Sequence, residues 1–183
     1  HTCPADGKIN ASNPCVTGDT LIATAEGLQR VVDLIGIPFV ALVDGEGHQT
    51  DFRGFYETGT KPVYRLVDAS GETLVRITGN HPVLTVADDG SEVWMNVDDL
   101  TPGVRLALHH DILGGHEHIA ALRHRGVVKQ HSVIAAFAPS NGRPMMSLSR
   151  PYVVLATKIA DGIEQVYDCT VPGKAAFDAN GLY

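Results

Sequence analysis

Cys15-Val-Thr-Gly-Asp-Thr-Leu-Ile-Ala-Thr-Ala-Glu-Gly-Leu-Gln-Arg-Val-Val-Asp-Leu34 is the stretch on which the fold turns. It alternates around a Thr-rich centre and breaks at Glu26-Gly27, the pattern of a half-buried strand running into a turn. The apolar runs that follow, as far as Val43, are split by Gly36 and Pro38. Strand patterns recur at 52–57, 62–68, 73–78 and 82–87, then near 104–109, 131–137, 152–160 and 164–171. Turn signals stand at Asp44-Gly45, Ala69-Ser70-Gly71 and Asp88-Asp89-Gly90. Only 28–35, 96–100 and 116–123 could hold a helical turn or two. The expected class is all-β with short strands.

The 183 residues are 44 % hydrophobic and 19 % charged, which suits one globular domain rather than a disordered chain. A formal net charge of −7 argues against general phosphate-backbone binding, which needs clustered positive charge. No apolar run approaches the roughly 20 residues that span a bilayer, and the first residues do not resemble a signal peptide. Three cysteines, Cys3, Cys15 and Cys169, are too few and odd in number for a disulfide framework, so a reducing, cytoplasmic setting is expected. Residues 1–14 carry Ile9 among Gly, Pro, Asn, Asp and Ser, and read as a leader with no core of its own.

Two pairs of segments echo each other in order. Leu28-Gln-Arg-Val-Val-Asp-Leu34 resembles Trp94-Met-Asn-Val-Asp-Asp-Leu100, and Pro62-Val-Tyr-Arg-Leu-Val67 resembles Gln165-Val-Tyr-Asp-Cys-Thr-Val171. Their matching order predicts a duplicated β unit folded into one body with internal pseudo-symmetry.

The residues able to carry chemistry are Cys15, the turn Thr78-Gly-Asn-His81, and Asp168 in an otherwise apolar strand. Cys15 stands at a boundary after Asn13-Pro14, where an exposed thiol is expected beside a backbone carbonyl; its plainer fate is that of a small buried hydrophobe. Thr78, Asn80 and His81 could be turn chemistry alone, whereas a carboxylate in an apolar strand needs a partner or a purpose. Together, thiol, imidazole, amide and carboxylate make a workable set for acyl transfer. Six of the nine histidines fall in 109–131, but without a nearby Cys or ligand spacing the run reads as a loop, and no metal or cofactor is expected.

Three stretches together carry a resemblance to inteins. Residues 15–34, with the leading Cys, Gly-Asp-Thr, Glu-Gly and Val-x-Asp-Leu, look like the N-terminal splicing block. Thr73-Leu-Val-Arg-Ile-Thr-Gly-Asn-His-Pro-Val83 resembles the second block, a Thr-x-x-His followed by Pro-Val. Residues 165–183 resemble the penultimate block, with Val-Tyr-Asp, a Val-Pro turn, Phe177 and Ala-Asn-Gly. The fold this implies is the horseshoe-shaped, all-β Hint domain with pseudo-two-fold symmetry. No LAGLIDADG-type pattern lies between 102 and 160, so the resemblance is to a mini-intein without an endonuclease. The segment Ile9-Asn-Ala-Ser-Asn-Pro-Cys15 is similar to the active-site segment of ribonucleotide reductases, and residues 1–15 look most like the cobalamin-dependent class. On that reading residues 1–14 are the end of the N-extein, residues 15–183 the splicing domain, and the partners are the flanking exteins, with no nucleic acid or membrane and a monomeric chain.

The resemblance implies a single-turnover, self-catalysed reaction rather than a multiple-turnover enzyme. Cys15 would attack the Pro14 carbonyl in an N-to-S acyl shift. His81 would protonate the departing Cys15 nitrogen, and Thr78 with Asn80 would hold the scissile carbonyl. Asp168 would help activate Cys15 and orient the incoming nucleophile. Cleavage without ligation is the alternative outcome. The sequence stops at Gly181-Leu182-Tyr183, a few residues short of the His-Asn that would end an intein, as expected of a truncated C-terminus, and Ala175 stands where the penultimate block usually carries His. Cys3 lies near enough along the chain to be a redox partner of Cys15.

Overall fold

The alternation read from the sequence becomes a β architecture built almost wholly of antiparallel ladders. The computed structural model describes residues 15–108, 126–129, 132–137, 144–148, 150–174, 179–180 and 182, with 132–137 and 144–148 described by their backbone. Among these are fourteen strands, two short 3₁₀ turns and no α-helix. No helix among them is long and apolar enough to cross a membrane.

The main sheet runs in the order β1 (Val16–Thr17), β7 (Thr73–Thr78), β6 (Phe55–Asp68), β14 (Tyr152–Cys169), β10 (Arg105–Ala107), β8 (Pro82–Val86) and β9 (Glu92–Asn96). β11 (Val128–Lys129) lies beside β14, and β1 pairs with β14 as well as β7. A second sheet has β3 (Gly27–Arg30), β2 (Leu21–Thr24), β4 (Val40–Val43) and β5 (Glu46–Gln49) in that order. The hairpin of β12 (Ser132–Phe137) and β13 (Pro144–Leu148) stands apart from both. Asp44 and Gly45 both take positive φ, 54° and 85°, as the tight turn between β4 and β5 requires.

Two pairs of expected strands prove to be single long ones. Segments 52–57 and 62–68 merge into β6, and 152–160 and 164–171 merge into β14. The sequence reading left 58–61 and 161–163 outside the strands. Gly59 (φ 103°) and Gly162 (φ 86°) instead sit at register shifts within the β6–β14 ladder. A glycine in a strand often marks a bulge, which bends the ladder without ending it.

The internal symmetry is present and extends beyond the two echoes. Strand β3 runs into a 3₁₀ turn at Val31–Leu34, and β9 runs into another at Val97–Asp99. The residues entering these turns have matching backbones: φ −72°, ψ 146° at Arg30 and φ −71°, ψ 148° at Asn96. Each 3₁₀ turn cradles a Thr-Gly turn. Val31 N–H donates to the Thr20 carbonyl and Val97 N–H to the His81 carbonyl, both at 3.0 Å. Val32 N–H reaches the Gly18 carbonyl at 3.2 Å, and Asp98 N–H the Gly79 carbonyl at 2.7 Å. A Cβ on Gly18 would run into Val32, and one on Gly79 into the Asp98 carboxylate, so both positions need glycine for close approach. The second echo is the β6–β14 pair itself, antiparallel from Phe55–Cys169 to Asp68–Leu155.

The core gathers residues of both halves, including Val31, Leu34, Phe55, Leu66, Val97, Leu100 and Leu155. Phe55 is fully buried and stacks on Phe39, with ring centroids 5.6 Å apart and planes 8° apart. Cys169 belongs to this core, as the plainer reading of a free thiol expects. We predict that Phe55→Ala lowers folding stability by about 3–5 kcal/mol, read as a reduced urea midpoint with the slope little changed.

Candidate functional site

Cys15 begins the described chain, and the β1 that follows it is wedged between β7 and β14. This wedge fixes the Cys15 main chain on Thr78, the last residue of β7. Cys15 N–H donates to the Thr78 hydroxyl at 3.1 Å, and Thr78 N–H donates to the Cys15 carbonyl at 3.0 Å. The same hydroxyl can donate to that carbonyl at 3.3 Å. The symmetry-related contact is Thr17 Oγ1 to the Arg76 carbonyl, also 3.3 Å.

The two Thr-Gly turns then diverge. Thr20 and His81 each close their turn with an N–H donated 3.1 Å back to the carbonyl of Thr17 and Thr78 respectively. Thr20 spends its hydroxyl locally on Thr17 Oγ1 at 3.3 Å. His81 instead directs its imidazole to the Cys15 main chain. Asn80 sits between Gly79 and His81 in the turn, half-buried. The 3₁₀ turn beneath is held from β14 by Lys158, whose ammonium donates to the Val97 and Asp98 carbonyls at 2.9 and 2.7 Å.

The Cys15 side chain meets residues that the sequence reading did not single out. Its Sγ lies 2.9 Å from Thr58 Oγ1 and 3.3 Å from Lys61 Nζ, both on β6. Asp168, half-buried on β14, accepts from the Tyr56 hydroxyl at 3.3 Å and from Cys169 N–H at 2.8 Å. Cys15 itself is fully buried, which corrects the expectation of an exposed thiol: β1 packs it with Val63 and Val166. Thus Cys15, Thr78 and His81 come together with Asp168 close enough to act on the thiol through its charge. Pro14, Cys3, Ala175 and most of the His-rich run, including His131, lie outside the described residues.

No family model matches the chain. A replicative DNA helicase DnaB of Rhodothermus marinus is 36 % identical over 102 residues, which is 51 % of this chain but only 10 % of that protein. Among solved structures, the Ssp DnaB mini-intein variant M86 superposes with a TM-score of 0.62 at 22 % identity, covering 95 % of each chain. The DnaB intein of Synechocystis sp. PCC 6803 gives 0.58 at 20 % identity over 92 % of this chain and 95 % of that one. The TvoVMA intein gives 0.59 at 16 % identity, over 94 % and 96 %.

The chain has the Hint fold.

Within this Hint fold burial displaces the titrations of the site in opposite senses. Burial pushes the Cys15 thiol up; the Thr58 hydroxyl and the Lys61 ammonium pull it down, and the Asp168 carboxylate adds to the rise. The Lys61 charge lowers the thiol but does not outweigh desolvation. Burial raises Asp168 to about 6, against the Cys169 N–H, the Tyr56 hydroxyl and the charges of Lys61 and Arg53. Burial lowers His81 to about 4, against its hydrogen bond to the Cys15 main chain. At neutral pH the imidazole is uncharged and can accept a proton.

These shifts act on stability with opposite signs. The folded chain holds the Asp168 proton more tightly than the unfolded one, so this group's contribution falls as pH rises from about 4 to 6. His81 stays neutral when folded but charges near 6.5 when unfolded, so its contribution grows as pH rises from about 4 to 6.5. We predict that, against wild type, Asp168→Asn makes Tm rise more steeply with pH across this window and His81→Gln makes it rise less. Calorimetry from pH 4 to 7 checks both, and slopes equal to wild type would contradict the assignment.

Proposed function

We propose that residues 15–183 are a self-processing intein domain and that residues 1–14 are the end of the host protein it interrupts. The first step is an N-to-S acyl shift in which the Cys15 sulfur attacks the Pro14 carbonyl. A peptide is a poor acyl donor, because resonance holds it planar and its nitrogen leaves badly. The observation that carries this reading is the Cys15 N–H donated to Thr78 Oγ1 at 3.1 Å, with the His81 imidazole hydrogen-bonded to the main chain of the same residue. A group in hydrogen-bond reach of the departing nitrogen can fix its geometry and protonate it as the bond breaks.

The roles then follow residue by residue. Cys15 is the nucleophile. His81, neutral at working pH, carries a proton to the departing nitrogen. Thr78, with Asn80 beside it, steadies the junction and the charge developing on the scissile oxygen. Asp168, half-ionised near pH 6, would help activate Cys15 and orient the incoming nucleophile. Transesterification to a downstream Cys, Asn cyclisation and an S-to-N shift complete splicing. The Asn-Pro-Cys context of the leader favours a ribonucleotide reductase, of the cobalamin-dependent class, as the host.

Cleavage without ligation is the second reading, favoured by Ala175 at a position where a proton donor is expected. Mass spectrometry of the chain flanked by host segments separates the two, since only splicing yields joined flanks. For the first step, dithiothreitol should release a 14-residue leader at Cys15. We expect Cys15→Ala to abolish the release and Thr78→Ala to slow it by about 10²–10³-fold, the size seen for loss of one oxyanion donor. Absence of release from wild type at every pH would overturn the reading.

A further inference from the structure

We propose that Lys61, assisted by Thr58, is a catalytic residue of this site, its ammonium 3.3 Å from Cys15 Sγ stabilising the thiolate as it forms and attacks. The inference rests on the acyl-shift reading for its chemistry, but the contact stands on the geometry of β6. In a regular strand, residues 58 and 61 point to opposite faces, because successive side chains alternate. Here Glu57 pairs with Tyr167 and Gly59 with Val166, so Thr58 is an extra residue opposite the ladder. The bulge removes one step of alternation and turns both side chains toward the same sulfur. Gly59 at φ 103° is the backbone feature that allows it.

Thr58 adds a hydroxyl whose single hydrogen has two acceptors. It can donate to the Val166 carbonyl at 3.2 Å while the thiol donates to its oxygen, or it can turn its hydrogen to Sγ at 2.9 Å. The first arrangement suits the thiol and the second the thiolate, so the switch needs no movement of heavy atoms. Among the described residues, Asp168 from β14 and Thr78 and His81 from the β7–β8 turn also face Cys15. Of these, Asp168 opposes a thiolate and His81 is uncharged at neutral pH. Among the described residues, Lys61 is therefore the cation placed to stabilise the sulfur anion.

The step balances. The Sγ–H bond breaks and its proton leaves to solvent, while Lys61 keeps its own three. The S–C bond to the Pro14 carbonyl carbon forms and the C–N bond to Cys15 breaks. The nitrogen takes a proton from solvent by way of His81, so no proton is consumed and no oxidant or reductant is needed.

Two readouts on the full chain test this. One is the pH profile of leader release by dithiothreitol. The other is the ultraviolet absorbance of the Cys15 thiolate against pH, taken as the difference from Cys15→Ala. Lys61→Met should move both midpoints upward by about one unit or more and cut release near neutral pH about tenfold, recovering at high pH. Lys61→Arg, which keeps the charge, should restore release to within about threefold of wild type. Should Lys61→Met fail to fold, Lys61→Gln is read in the same way. A thiolate midpoint unmoved by loss of the charge overturns the proposal, as does a shifted midpoint with an unshifted release profile or an Arg variant as slow as Met. The absorbance needs no cleavage, so it judges Lys61 even if wild type releases no leader and the acyl-shift reading falls.

Discussion

The rest of the structure depends on the reciprocal bonds between Cys15 and Thr78, N–H to hydroxyl at 3.1 Å and N–H to carbonyl at 3.0 Å. They hold the start of the domain on the end of β7, and β1 is otherwise only two residues long. A two-residue strand has little pairing energy of its own. It stays in place because β7 and β14 bond it from both sides and because Val16 is buried with the main core. The same wedge that buries Cys15 puts its nitrogen, carbonyl and sulfur each against a different polar group.

The site arises where a duplicated architecture departs from its own symmetry. Thr17-Gly-Asp-Thr20 and Thr78-Gly-Asn-His81 close alike, are cradled alike by a 3₁₀ turn, and send a Thr hydroxyl across to the neighbouring strand at the same distance. The first turn ends in a hydroxyl satisfied within the turn. The second ends in an imidazole that reaches outward. The long β6–β14 ladder adds a second asymmetry through its bulges, one of which brings Thr58 and Lys61 onto the sulfur. Ordered backbone bonds supply the rigidity, and side-chain differences at equivalent places supply the chemistry. The C-terminal stretch is tied in by Asn180, which accepts from Leu21 N–H and donates to the Leu74 carbonyl, both at 2.8 Å. That clamp spans both sheets.

Much of this was legible in the chain. Alternation, the Asp-Gly and Gly-centred turns and the two echoes gave the class and the symmetry, because they express local preferences that the fold did not override. Asp168 stood out because a carboxylate is poorly explained by an apolar strand, whereas Thr78 and His81, explicable as turn chemistry, drew notice through the Thr-x-x-His pattern. The strands were split at 58–61 and 161–163, where bulges with glycines at 59 and 162 interrupt the alternation without ending the ladder. The burial of Cys15 was missed because it comes from Val63 and Val166, on strands far along the chain.

The sequence by itself determined the all-β class, the duplicated unit and the identity of the turn that carries Thr78 and His81, all properties of residues near one another in the chain. Only the tertiary structure decided what surrounds the thiol. Thr58 and Lys61 are an ordinary hydroxyl and an ordinary surface-type cation in sequence, 43 and 46 positions from Cys15. They meet the sulfur because β6 carries a bulge just where β14 crosses β1. Which charge stands beside a buried group is fixed by register between distant strands, and register is set by the whole ladder rather than by any local run of residues.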